Sequence, residues 1–373
     1  MKNLINNLSL KSVFFLLLIG NISFAQSRIQ LIDELLDSLI LQQKFNGNIL
    51  IAEKGEIIYN RCHGLANETT KEKLTQKSIF ELASLSKQFT AMGIVILKEK
   101  GKLNLDDKIS KYIPELANYK EISIRNLLHH TGGLPDYLPI MDSTWDKSKI
   151  ASNKDIIDIF SKQNPKVLFE PNTQHEYSNT GYALLATIIE KASGKTYAEF
   201  LKEEIFKPLK MKNSFVYNRR LSPKKIKNYA LGYLFLRSQN KYVLPDDFDR
   251  TKMVFWLDGV VGDGTVNSNV IDLLKWDRAL YTTKLVSDES LKEIFSNGLL
   301  NDGSLGKHGF GWRMLETKDF GRIARHSGGW PGYMTYIERD IDHDKTIIIL
   351  QNHYNVTMPT DEIRNILYNI EKK

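Results

Sequence analysis

Ser84-Leu85-Ser86-Lys87 opens the stretch, Ser84 to Lys100, on which the fold of this 373-residue chain turns. Behind it Phe89, Met92, Ile94, Val95 and Leu97 recur at helical spacing. The stretch therefore reads as one helix with a serine at its start. The three-residue spacing puts Ser84 and Lys87 on one face, one turn apart. Free N–H groups and the positive end of the helix dipole favour negative charge at that start. A serine hydroxyl is a weak nucleophile until a neighbour takes its proton. Lysine can take it only where desolvation or cationic crowding holds the amine partly neutral. The same spacing recurs at Ser222 and Lys225, Ser238 and Lys241, and Ser304 and Lys307. Those three matches stand in polar loops, so context singles out Ser84. Ser86 is the nearer rival, but Lys87 adjoins it in sequence and points elsewhere on a helix.

Outward from this helix, the two ends of the chain resemble each other. Asn48 to Ala52 and Ile57 to Cys62 read as strands of a hairpin around Glu53-Lys54-Gly55-Glu56. Tyr333 to Arg339 and Thr346 to Leu350 read as a second pair around a polar turn. An amphipathic helix at Ile29 to Leu39 opens the folded part, and another follows Pro359, with Thr360 as its cap. Between the ends the pattern is mostly helical, as at Lys87–Lys100, Ile124–His129, Gly181–Lys191 and Val270–Tyr281. The expectation is an α/β chain of the α+β kind. An antiparallel sheet built from both chain ends (about 26–77 and 301–373) is flanked by terminal helices and carries a large helical insertion (about 78–300). A single domain over 26–373 places the cleft where the two parts meet.

Residues 1–25 stand apart. Lys2 and Lys11 precede an apolar run from Val13 to Ile19, and Ser23-Phe24-Ala25 supplies small residues for cleavage. This is the pattern of an export signal, giving a periplasmic or secreted protein. The run is shorter than the ~20 residues a membrane span needs, so stable membrane insertion is not expected. Removing the segment lowers the formal charge from +7 to about +5. The basic cluster Lys224-Lys225-Ile226-Lys227 has no aromatic or glycine-rich companion and reads as a solvated turn, not a nucleic-acid surface. Cys62 is the one cysteine; it excludes an internal disulfide and, in an apolar strand, reads as a small buried residue.

Two further segments carry chemistry. Tyr177-Ser178-Asn179 leads into a helix, where a tyrosine can relay a proton and an asparagine can bond a substrate amide. A buried tyrosine beside an N-capping asparagine is the plainer reading of those residues alone. His326-Ser327-Gly328-Gly329 precedes Trp330-Pro331-Gly332. Its small residues let a substrate backbone lie along a strand edge; a tight turn with an exposed histidine is the alternative.

Taken in order, Ser84-x-x-Lys87, Tyr177-x-Asn179 and His326-x-Gly328 resemble the serine β-lactamase and penicillin-binding protein superfamily. The resemblance is to its class C β-lactamase, D-alanyl-D-alanine carboxypeptidase and esterase branch. It extends to Leu127–Pro135, Leu105-Asp106-Asp107, Tyr112-Ile113-Pro114, Gly262-Asp263-Gly264 and Gly309–Trp312, nearly the whole mature chain. It implies a β-lactamase/transpeptidase-like fold with Ser84 forming an acyl-enzyme. Lys87 and Tyr177 would share proton transfer, and Asn179 would orient substrate. The N–H groups of Ser84 and Gly329 would form the oxyanion hole, with His326 and Gly328 beside the substrate. His326 stands where many β-lactamases carry lysine, a departure that argues against efficient β-lactam hydrolysis.

The expected protein is a serine hydrolase acting on D-amino-acid peptides, cell-wall peptides among them, or small esters. A class C-type β-lactamase and a non-catalytic penicillin-binding sensor or scaffold are the alternatives. No cofactor or metal is implied: His129-His130 has no second ligand pair at helical spacing. Gly262-Asp263-Gly264 lacks the lysine and hydroxyl of a phosphate cradle. The sequence leaves the oligomeric state open.

Overall fold

The computed structural model describes residues 28–354 and 356–370; the export segment expected over residues 1–25 lies outside them. The chain forms two compact units. One joins the segment up to Phe45 with that from Thr357, and the other is Asn46–Val356.

The first unit pairs two helices, residues 28–41 and Thr360–Leu367. Their buried residues fall at helical spacing, Ile32, Leu36 and Leu39 on one and Ile363 and Leu367 on the other. Arg28 Nη1 donates to Leu367 O at 3.2 Å, and the Thr357 N–H donates to Lys44 O at 2.9 Å. Thr360 is the first helical residue and not the cap; Pro359 occupies that position and makes no side-chain bond.

The second unit is built on a six-stranded sheet. Its strands are β1 (Gly47–Glu53), β2 (Glu56–His63), β3 (Arg313–Thr317), β4 (Gly321–Trp330), β5 (Tyr333–Asp340) and β6 (Lys345–Gln351). The order is β3-β4-β5-β6-β1-β2 with antiparallel pairing throughout. Strands from the two ends of the unit meet where β1 lies on β6, in the register Ile49↔Ile349 and Ile51↔Ile347. Gly-Asn-Ile-Leu-Ile-Ala runs buried without alternation because β1 is covered on both faces, whereas β2, at the edge, is partly exposed.

Helix α1 (Ser86–Glu99) is buried from Ser86 to Leu97. It packs on α2 (Asn179–Ser193), and a Cβ on Gly93 would come within 2.9 Å of Ile189 Cδ1. The middle of the chain is not helical alone. Phe80–Glu81, Val266–Ser268 and Phe215–Val216 form a small sheet. Its Phe80↔Ser268 pairing brings the segment before Ser84 against that after Gly264. Their apolar β-branched and aromatic content is too short a signal to stand out from the helical pattern around it. Among the described residues no helix is long and apolar enough to cross a membrane.

Candidate active site

Ser84 lies in the 3-10 turn Ala83–Leu85 that feeds α1, two residues before the first residue of the α-helix itself. Ala83 holds φ +50°, a left-handed conformation that a side chain disfavours and that the neighbouring packing must maintain. Lys87, in the first turn of α1, is fully buried. Its Nζ donates to Ser84 Oγ at 3.1 Å, to Asn179 Oδ1 at 2.9 Å and to Asp263 O at 2.9 Å. Three acceptors match the three N–H bonds of an ammonium. Ser86 is turned inward: it is fully buried, and its Oγ accepts the Val266 N–H at 3.0 Å.

Tyr177 precedes Ser178, whose hydroxyl caps α2 by accepting the Gly181 N–H. Asn179 is therefore the first helical residue and not the cap, and its side chain is free to face Lys87. The Asp136 carboxylate fixes its orientation, accepting from Asn179 Nδ2 at 2.8 Å and from its N–H at 3.2 Å. With Nδ2 so engaged, Oδ1 is left for Lys87. The Tyr177 ring centroid lies 5.0 Å from Lys87 Nζ. The ring also stacks on His130, at 4.5 Å between centroids and 30° between planes. His130 Nδ1 accepts the Ser178 N–H at 3.1 Å, which ties the ring to the entrance of α2.

Beyond Tyr177 lies a set of histidines. His175 Nε2 and His308 Nδ1 are hydrogen-bonded at 2.8 Å with their rings stacked. Burial pushes His308 down to about 2 and His326 to about 4, the latter helped by the Lys87 charge. His130 is held well below the usual imidazole range by burial and then by His308 and Lys87. These rings are neutral at neutral pH. Among the described residues no group of three or more His, Cys, Asp or Glu side chains is placed to hold a metal.

His326, Gly328 and Gly329 all sit within β4, which runs to Trp330 before the chain turns at Pro331-Gly332. Strand β3 pairs with β4 only as far as Arg313↔Arg325. Residues 326–330 therefore extend past β3, and their outer edge is not taken by that strand, which is what strand addition requires. The two glycines differ in purpose. A Cβ on Gly328 would come within 2.2 Å of both Leu82 O and Thr335 Oγ1, so Gly328 lets β4 close on the turn that carries Ser84. Around Gly329 a Cβ meets nothing within 4 Å, and this residue lines the cleft with Ser84. We expect Gly328→Ala to lower the melting temperature, at a cost of about 1–3 kcal/mol for overpacking. Gly329→Ala should melt as the wild type does. Equal melting temperatures for the two variants would contradict this division.

Two cavities meet at Ser84, Tyr177 and Gly329. One, of about 150 Å³, extends past Asn179 and Asp263 between Leu138, Val254 and Trp330. The other, of about 470 Å³, extends past His326 to Arg313 and Arg325. Gly262, at φ +104°, closes on Tyr182 O, where a Cβ would sit at 2.4 Å; this close approach carries the Asp263 carbonyl to Lys87. Burial raises the Asp263 carboxyl against the pull of Lys87, and its Oδ2 accepts the Tyr137 hydroxyl at 2.8 Å.

All seven residues singled out from sequence lie in this region: Ser84, Lys87, Tyr177, Asn179, His326 and Gly329 line or border the cleft, and Gly328 backs it. Sequence reasoning did not find Asp136, His308, Arg313 or Arg325, and it read His130 and Asp263 only as parts of family segments. Asp136 directly follows Leu134-Pro135, so its place at the end of that segment was the one available signal. The arginines carried none.

The Beta-lactamase family model matches residues 29–368. Penicillin-binding protein 4* of Bacillus subtilis (strain 168) is 48% identical over 327 residues, which span 88% of this chain and 72% of that protein. The D-amino acid amidase of Ochrobactrum anthropi SV3, complexed with L-phenylalanine amide, superposes with a TM-score of 0.74. It is 26% identical, over 92% of this chain and 99% of that one. The octameric penicillin-binding protein homologue from Pyrococcus abyssi shares the fold, with a TM-score of 0.76 at 23% identity over 91% of this chain and 76% of the other. The fold, the ordered motifs and these relatives agree that the chain belongs to the Beta-lactamase family, with the scaffold of its penicillin-binding protein and serine hydrolase members.

Proposed function

We propose that the chain is an exported serine hydrolase that acylates Ser84 and acts on D-amino-acid peptides or small esters. The observation that carries this reading is the triple engagement of Lys87 by Ser84 Oγ, Asn179 Oδ1 and Asp263 O in a fully buried site. Burying a lysine Nζ costs free energy unless hydrogen bonds compensate it, and one of the three groups that do so here is the hydroxyl to be activated. In the proposed reaction Ser84 Oγ bonds to the substrate carbonyl carbon. Its proton passes through Lys87 and Tyr177 to the leaving nitrogen or oxygen, whose bond to that carbon breaks. The N–H groups of Ser84 and Gly329 meet the charge on the carbonyl oxygen. Water then adds to the ester, its proton follows the same route, and Ser84 is restored as the acid leaves.

The cavity on the His326 side would take the leaving group. His326 is neutral there, but Arg313 and Arg325 line the same space, so a leaving group with a free carboxylate is favoured. This suits a carboxypeptidase. Opening of a β-lactam differs in that its leaving amine stays tethered to the acyl group and occupies the space from which water must come. A burst experiment tests the reading. We expect near-stoichiometric product from a penicillin or cephalosporin and continuous product from a D-alanyl peptide or short ester. Rapid steady turnover of a cephalosporin without a plateau would favour the β-lactamase alternative, and acylation without turnover of any substrate would favour the sensor. Export is proposed from residues 1–25; N-terminal sequencing of the native protein should begin near Gln26, and an intact Met1 would exclude it.

A further inference from the structure

The cavity on the Asn179 side is lined by three carboxyl groups that the proposed reaction does not use, those of Glu81, Asp258 and Asp263. Glu81 lies three residues before Ser84, and both residues line that cavity. Its backbone is fixed by pairing with Asn267 in the small sheet, and its side chain is partly buried. Among the described residues no hydrogen bond or ion pair reaches the Glu81 carboxylate.

The neighbouring charges are already committed. Arg220 donates to Asp246 from Nε and Nη2, at 2.6 and 2.9 Å, and to Asp258 from Nη1 at 3.2 Å. Arg219 donates to Asp246 at 2.6 Å. Asp258 also accepts the N–H groups of Arg220 and Leu221, and Asp263 accepts the Tyr137 hydroxyl. Both arginines act on Glu81 through space, but neither donates a hydrogen bond to it. Burial pushes its carboxyl up to about 7, with Arg220 acting against the rise and Asp258 adding to it. A partly buried carboxyl that accepts no hydrogen bond can be satisfied by a docking cation. The same cavity is also lined by Leu138, Val254, Leu257 and Trp330, which suit an aliphatic stem.

We propose that this cavity is a subsite for an acyl group that ends in a primary ammonium, with the Glu81 carboxylate as the ammonium's partner. The word acyl rests on the hydrolase reading above; the subsite itself does not. Two measurements keep them separate. In the first, p-nitrophenyl esters of unbranched ω-amino acids with two to six carbons are compared with their methyl-terminated isosteres on the wild-type protein. At the best-fitting length the amino ester should exceed its isostere at least tenfold in kcat/KM, and Glu81→Gln should bring that ratio to about one. The ratio is taken within each protein, so a general loss of activity in the variant cancels. In the second, the corresponding amides are titrated calorimetrically into Ser84→Ala. The amino amide should bind at least tenfold more tightly than its isostere, and the added Glu81→Gln change should remove the difference. Hydrolysis of the neutral esters with no amino preference at any length would overturn the subsite and leave the hydrolase standing. A preference that survives Glu81→Gln would overturn it equally. Amide binding that depends on Glu81, with no ester hydrolysed above the Ser84→Ala background, would uphold the subsite and refute the hydrolase.

Discussion

Ser84→Ala is expected to abolish both covalent labelling by a fluorescent penicillin or phosphonate and hydrolysis of every substrate, by about 10⁴-fold or more. The nucleophile is the one group whose loss neither the oxyanion hole nor substrate binding can replace. Ser86→Ala is the control. Its hydroxyl is buried and accepts the Val266 N–H, so its removal leaves that donor unpaired, at about 1–3 kcal/mol of stability. The Ser86 variant should melt earlier but still take the label. Labelling that survives Ser84→Ala and disappears in Ser86→Ala would reverse the assignment. Mass spectrometry of the labelled peptide distinguishes the two, since the serines are only two residues apart.

Lys87→Met should give the next largest loss, about 10²–10⁴ in the acylation rate, the usual worth of positioned proton transfer. The substitution leaves Asn179 Oδ1 and Asp263 O without their donor in a buried site. It also removes the charge that opposes burial at Asp263, so that carboxyl should rise further. The side-chain volume is nearly kept, so the fold should hold, and circular dichroism before kinetics checks that it does. An acylation rate within threefold of wild type would show that Tyr177 or water takes the Ser84 proton without Lys87. A pH–rate profile of the residual activity then identifies which.

The hairpin around Lys54-Gly55, the β5–β6 pair and the long buried helix were all legible, because each is a local pattern of apolar period and turn residues. The serine–lysine spacing was legible for the same reason, since three residues along a helix fix which side chains meet. Choosing Ser84 over Ser86 rested on that spacing and on the helix start; the bond from Val266, 180 positions away, adds a separate reason. Thr360 as a helix cap was misread because a hydroxyl after proline satisfies the local rule equally well one residue too late.

What the sequence by itself determined is the two hairpins near the chain ends, the long buried helix, the order of the three motifs and, through them, the family; β3 and β4, which carries His326 to Gly329, were not read as strands. Only the tertiary structure decided which distant groups complete the site. Asp136 orients Asn179 across 43 residues, and the Asp263 carbonyl reaches Lys87 across 176. His130 stacks on Tyr177, Gly328 makes room for Leu82 and Thr335, and Glu81 lines the same cavity as the nucleophile. These relations depend on chain closure between segments with no shared period. Their strength comes from burial, which lowers the local dielectric and makes each bond, or its absence, count for more than it would in water.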